Sequence, residues 1–337
     1  MTLSPFAQAT EIVRGGRRGL RAAIGLVAGG CAYALRGKGP CTNCGFSQVS
    51  TGGAPVDPTS LMEQFETALA RLTMDIRAAL PGRRILELDI YNSGSFFNHE
   101  EVPIKAQLGI LRRAGQLDGL EYVMVESRPE YVVDAVVKSA VAAVAPKQLE
   151  IGIGLESADR RVREGLVRKG FGLEEYEAAL GVMARHRADL LAYLLLKPMG
   201  LGEREAIEDY VASAKYVFDS ARRLGVRARV SMQPVFVVRG TPLGVLYDSG
   251  KYRPPWLWSV AECVKRSAGL GPVRVCSGDD FPPPYARRRN CGQCDASFES
   301  AIDRYNKTGD VSVFDTLDCG CVEQWRGESA VPAGERG

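Results

Sequence analysis

From residue 23 onward, apolar runs of strand length alternate with stretches whose apolar residues recur every third or fourth position. Residues 23–28, 85–91, 119–126, 148–155, 190–197 and 226–236 read as strands, and 58–80, 101–115, 129–144, 159–188 and 203–223 as helices. Pro58 after Asp57 and Pro129 after Arg128 sit where a first helical turn tolerates proline. Parallel strands need a right-handed crossover, which a helix supplies, so six such steps predict a parallel sheet with helices outside it. The middle of the chain has no room for the two further strands of an eight-fold barrel. A partial (β/α)6 barrel is expected, with its active site at the carboxyl ends of the strands.

The character changes after Gly250. Tyr252-Arg253-Pro254-Pro255-Trp256-Leu257-Trp258-Ser259 opens a helix carrying Val260, Cys263 and Val264, followed by a strand-like 273–276 and a proline-rich turn at 281–285. The expected organisation is a lead-in over 1–22, the barrel over 23–245, a cysteine-rich extension over 246–326 and a loose tail over 327–337.

The chain has 337 residues, enough for a large core, and a formal net charge of +3, too small to argue for nucleic acid by itself. The triplet Arg287-Arg288-Arg289 reads as solvated surface or, with Lys307, as a docking face for RNA or a partner. No stretch is long and apolar enough to span a bilayer, and the first 22 residues mix Arg and Gly rather than forming a signal-peptide core. Nine cysteines in that setting point to the reducing cytoplasm, where clustered thiols bind metal more often than they form disulfides. With two histidines, His99 and His186, a multi-histidine metal site is excluded.

Cys31, Cys41 and Cys44 lie on one glycine-rich loop directly after the first expected strand. Three thiolates hold three irons of a 4Fe–4S cube and leave the fourth open to substrate or cofactor, whereas four would make an electron carrier. A zinc knuckle or plain surface thiols are the alternatives. The other strand ends are polar. Asn92-Ser93-Gly94-Ser95 offers amides and hydroxyls, Glu126 and Arg128 can grip an ammonium and a carboxylate, and Glu156-Ser157 can accept ribose hydroxyls. Gln233 ends the sixth strand. Lys197 follows Leu194-Leu195-Leu196, so its ammonium either holds a substrate carboxylate or phosphate at the cavity mouth, flanked by Tyr33 and Arg239, or snorkels to solvent.

Cys41-Thr42-Asn43-Cys44-Gly45-Phe46, Glu126-Ser127-Arg128-Pro129-Glu130, Gly154-Leu155-Glu156-Ser157, Leu194-Leu195-Leu196-Lys197-Pro198, Glu205-Ala206-Ile207-Glu208-Asp209 and the tyrosine-arginine-proline-proline-tryptophan block together resemble the radical S-adenosylmethionine (SAM) subunit of archaeosine synthase. More distantly, the chain is similar to the catalytic subunit of elongator. The resemblance implies a radical-SAM barrel with a 4Fe–4S cluster on the three front cysteines and SAM on its open iron. It also implies an electron donor, a tRNA whose 7-deazaguanine carries a lysine adduct, and a transferase partner that attaches the lysine. Cleavage of a carbon–nitrogen bond would then leave the amidine of archaeosine.

Cys291, Cys294, Cys319 and Cys321 form two close pairs suited to a structural four-thiolate zinc; a second 4Fe–4S cluster and uncoordinated or disulfide cysteines are the other readings. Two further functions stay open: a radical-SAM enzyme acting on a free small molecule, and a non-catalytic, zinc-stabilised RNA- or protein-binding module.

Overall fold

The computed structural model describes residues 6–276 and 284–330. The proline-rich turn expected from 281 begins outside the described residues, as do 1–5 and the end of the expected tail, 331–337.

Eight strands form one sheet in chain order: β1 (Phe6–Arg14), β2 (Arg17–Gly25), β3 (Ile85–Tyr91), β4 (Tyr122–Glu126), β5 (Gln148–Glu156), β6 (Asp189–Leu196), β7 (Ala228–Pro234) and β8 (Val273–Val275). β2 through β8 are parallel, and β1 pairs antiparallel with β2. The six expected strands are β2 to β7. The first of them starts earlier than expected, at Arg17, and residues 6–16 add a hairpin strand turned at Gly15 and Gly16, both at positive φ.

The sheet curls. Arg229 on β7 lies 2.6 Å from Glu87 on β3, and Arg14 on β1 lies 2.8 Å from Glu150 on β5. Each pair is four strands apart in sheet order, which in a flat sheet would mean about 19 Å. Successive side chains face opposite ways, so Leu88, Ile90, Leu149, Ile151, Ile153, Leu190, Leu194, Val230 and Met232 are buried toward the helices while the alternate residues face the barrel interior.

The helices α1 (Pro58–Ala79), α2 (Ile104–Gly115), α3 (Asp134–Val144), α4 (Leu173–His186) and α5 (Glu203–Leu224) cover the outer face. Asp57 caps α1 by accepting the Thr59 amide at 2.8 Å. The helix expected over 159–188 is two pieces, a short turn at 161–166 and α4. Arg168 and Gly170 between them hold positive φ, which no α-helix continues through. The boundary expected near 240–255 falls on α6 (Pro242–Asp248) and the chain after it. α7 (Leu257–Ser267), α8 (Asp295–Thr308) and α9 (Val322–Ala330) complete the C-terminal lobe. Helix α9 occupies 327–330, where a loose tail was expected, and the Trp256 indole donates to Glu328 on it at 2.8 Å.

Helix α8 packs against both β1 and β8 and so fills the seam between the sheet's two edges. The side-chain amide of Asn306 acts as a substitute strand for β8, donating to the Val275 carbonyl at 2.8 Å and accepting its N–H at 3.0 Å. Tyr305 adds a bond to the Val273 carbonyl at 2.9 Å. Asn306→Ala leaves both backbone groups of buried Val275 unpaired, and an unsatisfied buried group costs about 1–3 kcal/mol. The denaturation midpoint is expected to fall accordingly with an unchanged m-value; a shift below ~0.5 kcal/mol would contradict the edge-capping role.

Candidate active site

The barrel encloses a cavity of about 330 Å³, within the size range of small-molecule sites. Its wall is layered because inward residues repeat every second position along each strand. At the amino ends of the strands, Arg14 and Arg229 lock onto Glu87 and Glu150. Burial opposes ionisation of Glu87, but the two guanidiniums beside it hold its carboxyl well below the usual range. One layer up, Arg21 donates to Asp89 and to the Tyr91 hydroxyl, both at 2.5 Å. Above that stand Glu126, Tyr193 and Gln233. Burial pushes the Glu126 carboxyl up to about 7, against a lowering hydrogen bond from Tyr193.

Cys31, Cys41 and Cys44 line the rim of this cavity at the carboxyl ends of the strands. Their loop is pinned at two points. Thr42 donates its amide to Val167 at 3.1 Å and its hydroxyl to Leu166 at 2.8 Å, and accepts the Leu243 amide at 3.1 Å. Glu101 gathers the Ala32 amide at 2.9 Å, the Asn98 side-chain amide at 2.9 Å and the Ser95 amide, tying the cysteine loop to the turn after β3. Gly94 sits in that joint: a Cβ there would fall 2.0 Å from the Glu101 carboxylate and 3.1 Å from the Cys31 amide. Burial pushes the Cys44 thiol up to about 12 and raises Cys41 as well, so these thiols are poor free nucleophiles. Their donor chemistry fits a metal that displaces the proton.

Ser93, Gly94, Glu126, Arg128, Glu156 and Gln233 line the cavity with the cysteines. Ser93 and Glu156 hold positive φ at the ends of β3 and β5. Arg128 is buried, ion-paired to Glu130 and stacked 4.2 Å from the Tyr33 ring. Lys169, which sequence reasoning missed, lies 2.7 Å from Glu156. It follows a turn rather than a strand, so no strand-end pattern pointed to it.

The remaining expected site residues lie elsewhere. Asn92 is buried with neither side-chain polar atom partnered, the Ser95 hydroxyl accepts the Arg128 amide, and Ser157 donates to Asp209 at 2.6 Å. Lys197 does not reach the cavity mouth. It is buried in an ion pair with Glu203, which also accepts the Ser259 hydroxyl. Its φ of 64° turns the side chain away from the interior and toward α5. Arg239 stacks on Tyr285 at 3.9 Å, outside the cavity lining. Within the arginine triplet, Arg288 is buried and bidentate to Glu299. His99 is exposed, and His186 meets Asp134 at 3.0 Å.

Cys291, Cys294, Cys319 and Cys321 converge. Their sulfurs all lie within 4.8 Å of one another, with contacts of 3.7–3.9 Å. The Asn290 amide and the Trp258 indole each donate to a sulfur at 3.3 Å, on Cys294 and Cys321 respectively. Backbone N–H groups of Gln293 and Cys294 pull the Cys291 thiol down to about 7. Among the described residues this is the one group of three or more such ligands placed to hold a metal ion.

No family model matches the sequence. The chain is 28% identical over 298 residues to archaeosine synthase subunit beta of Methanosarcina acetivorans, spanning 88% of this chain and 81% of that protein. It is 28% identical over 243 residues to archaeosine synthase subunit beta of Thermococcus kodakarensis, spanning 70% and 72% respectively. The expected resemblance to that subunit therefore holds along most of the chain. In fold it matches Elp3 of Methanocaldococcus infernus with a TM-score of 0.55 at 14% identity, over 78% of this chain and 62% of that one. The architecture is thus an Elp3-like partial barrel with a C-terminal four-cysteine cluster. No helix among the described residues is long and apolar enough to cross a membrane.

Lys197→Ala strands the Glu203 carboxylate in the protein interior. It is expected to cost about 3–5 kcal/mol of folding stability by denaturant titration; a stability change below ~1 kcal/mol would place Lys197 outside a structural pair. Glu126 gives a pH signature. Its folded carboxyl binds a proton up to about pH 7, whereas an unfolded glutamate releases it near its ordinary value, so the folded state binds more protons between the two. Stability therefore falls as pH rises through that window. In the cofactor-free protein, Glu126→Gln is expected to gain roughly 1–3 kcal/mol relative to the parent between about pH 4.5 and 7. A pH-independent difference would contradict this.

Proposed function

We propose that this chain is a radical-SAM enzyme acting on a lysine-modified 7-deazaguanine in tRNA, the catalytic partner of a transferase that attaches the lysine. The observation that supports it most is Cys31, Cys41 and Cys44 on the rim of an enclosed cavity at the carboxyl ends of a partial barrel's strands. The length of the similarity to archaeosine synthase beta subunits supports the choice of substrate. Those thiols would hold a 4Fe–4S cluster, which when bound would supply the electron for reductive cleavage of SAM to methionine and a 5′-deoxyadenosyl radical.

The chain's own residues hold and orient. Ser93 and Gly94 present polar backbone to the amino acid end of SAM next to the cysteine loop, and Glu101 ties their turn to that loop through the Ser95 and Ala32 amides. Glu156, ion-paired to Lys169, offers its second oxygen to ribose hydroxyls. Arg128, rigidified by Tyr33 and Glu130, presents a cation at the same rim. Leu191, Leu195, Val235 and Phe236 complete the wall and exclude water from the reacting carbon. The chemistry on this reading breaks a carbon–nitrogen bond of the adduct and leaves an amidine. A formal charge of +3 suits a subunit whose partner makes the phosphate contacts. An electron donor must reach the rim, and thiolates kept for metal fit the reducing cytoplasm.

The C-terminal thiols suit zinc. A tetrahedral ion with metal–sulfur bonds of about 2.3 Å has sulfur–sulfur edges of about 3.8 Å, which the observed contacts match. The four corners of an iron–sulfur cube would spread its ligands farther. Four protein ligands close the site, so its role is to hold the start of α8 and thereby the barrel seam.

Anaerobically reconstituted protein is expected to bind about four irons at the front site and, when reduced, to convert SAM to 5′-deoxyadenosine. The triple variant Cys31→Ala/Cys41→Ala/Cys44→Ala should lose both; continued 5′-deoxyadenosine formation would overturn the assignment. With lysine-adduct tRNA and a transferase the product should be an amidine, and turnover of a free metabolite without tRNA would favour the small-molecule alternative. Elemental analysis should find one zinc, absent from Cys294→Ser, whose melting temperature drops while the iron content stays. Iron in place of zinc at that site would contradict the reading.

A further inference from the structure

We propose that the deep end of the cavity is a receptor for an α-amino acid group, with Arg274 taking the carboxylate and the unpartnered oxygen of Asp89 taking the ammonium. The layers below and around it are already closed. Arg14 and Arg229 share Glu87 and Glu150, and Arg21 is spent on Asp89 and Tyr91. Among the described residues Arg274, on the short strand β8, forms no ion pair, and its Nε is buried with no hydrogen-bond partner. Burial disfavours its charge most, and attraction to Glu87 and Asp89 only partly offsets that and the repulsion from Arg21 and Arg229, so a further anion beside it would be stabilising. Asp89 is fully buried, and its Oδ1 likewise has no partner.

Both groups line the same cavity. A buried polar group left unpaired is costly, and two of opposite sign in one wall are matched by a ligand that carries both charges. A simple anion would satisfy Arg274 and leave the Asp89 oxygen bare; a simple amine would do the reverse. Above them, beyond the layer of Glu126, Tyr193 and Gln233, Leu195 and Val235 add aliphatic wall before the cysteine rim, along which a hydrocarbon arm can run from the amino acid group to the mouth. The eighth strand gains a purpose on this view. Three residues long and held by Asn306, it adds a guanidinium to the two, Arg21 and Arg229, that the six-strand unit already places in the barrel.

The proposal deepens the functional reading and rests on it for what stands at the other end of the arm; the recognition of the amino acid group can be tested apart from it. The probes are L-norleucine, which carries both charges on an aliphatic chain, and hexanoate and hexylamine, which carry one each. Binding is measured by saturation-transfer NMR on the anaerobic, cluster-loaded protein without reductant, with and without saturating SAM, so that SAM fills its own amino acid subsite in one arm. L-Norleucine is expected to bind in the presence of SAM at least tenfold more tightly than either single-charge probe. Arg274→Gln should abolish its advantage over hexylamine, and Asp89→Asn its advantage over hexanoate.

Equal binding of the three probes, unchanged discrimination in both variants, displacement of L-norleucine by SAM, or loss of SAM and L-norleucine together would each overturn the proposal. If the parent protein fails to bind SAM but keeps the preference for L-norleucine, the radical-SAM reading fails and the amino acid receptor stands.

Discussion

Everything in this barrel is arranged around four charges at the amino ends of its strands. Arg14 and Arg229 reach across the interior to Glu87 and Glu150, closing distances that a flat sheet would hold four strands apart. Burying such groups is costly unless each is met by its counter-charge. The network therefore permits only the curled sheet, because flattening would separate the partners without returning them all to water. Arg14 belongs to the N-terminal hairpin and Arg229 to the seventh strand, so the same contacts bind the two ends of the sheet to its centre.

Closure at the bottom creates a space with two distinct ends. The upper rim is built by loops, and loops are held by side chains: Thr42 and Glu101 fix the cysteine loop, and Arg128 is clamped between Tyr33 and Glu130. The lower end is built by strands, whose inward residues need no such support. The C-terminal lobe enters through α8, which follows directly on Cys294, seals the seam and holds the strand that carries Arg274. A four-thiolate site on the outside of the protein is in this way continuous with the cavity inside it.

The sequence made some of this plain. The six central strands read as apolar runs, and the two cysteine groups read as ligand sets because their members are close along the chain. The interior was harder to see. In Glu87-Leu88-Asp89-Ile90-Tyr91 the alternate residues are charged or phenolic, a period of two that signals a polar inner face within an otherwise apolar run. The hairpin at the front carried its turn in Gly15-Gly16, but its alternating strands are short on large apolar residues. Lys197 follows the inward positions Leu191, Tyr193 and Leu195 by the same period, and a left-handed backbone at that one residue sends it to Glu203 instead. Lys169, Glu101 and Arg274 are assembled by tertiary packing alone, with no local pattern to announce them.

The central claim is that the three thiols at the rim leave one iron open and that SAM occupies it. Pulsed electron–nuclear double resonance on the reduced, reconstituted protein with SAM labelled with ¹⁵N at its amino group tests this directly. The account predicts a strong nitrogen coupling to the cluster that vanishes when SAM is omitted. A cluster signal indifferent to SAM, or a front site filled by zinc and silent in the experiment, would contradict it.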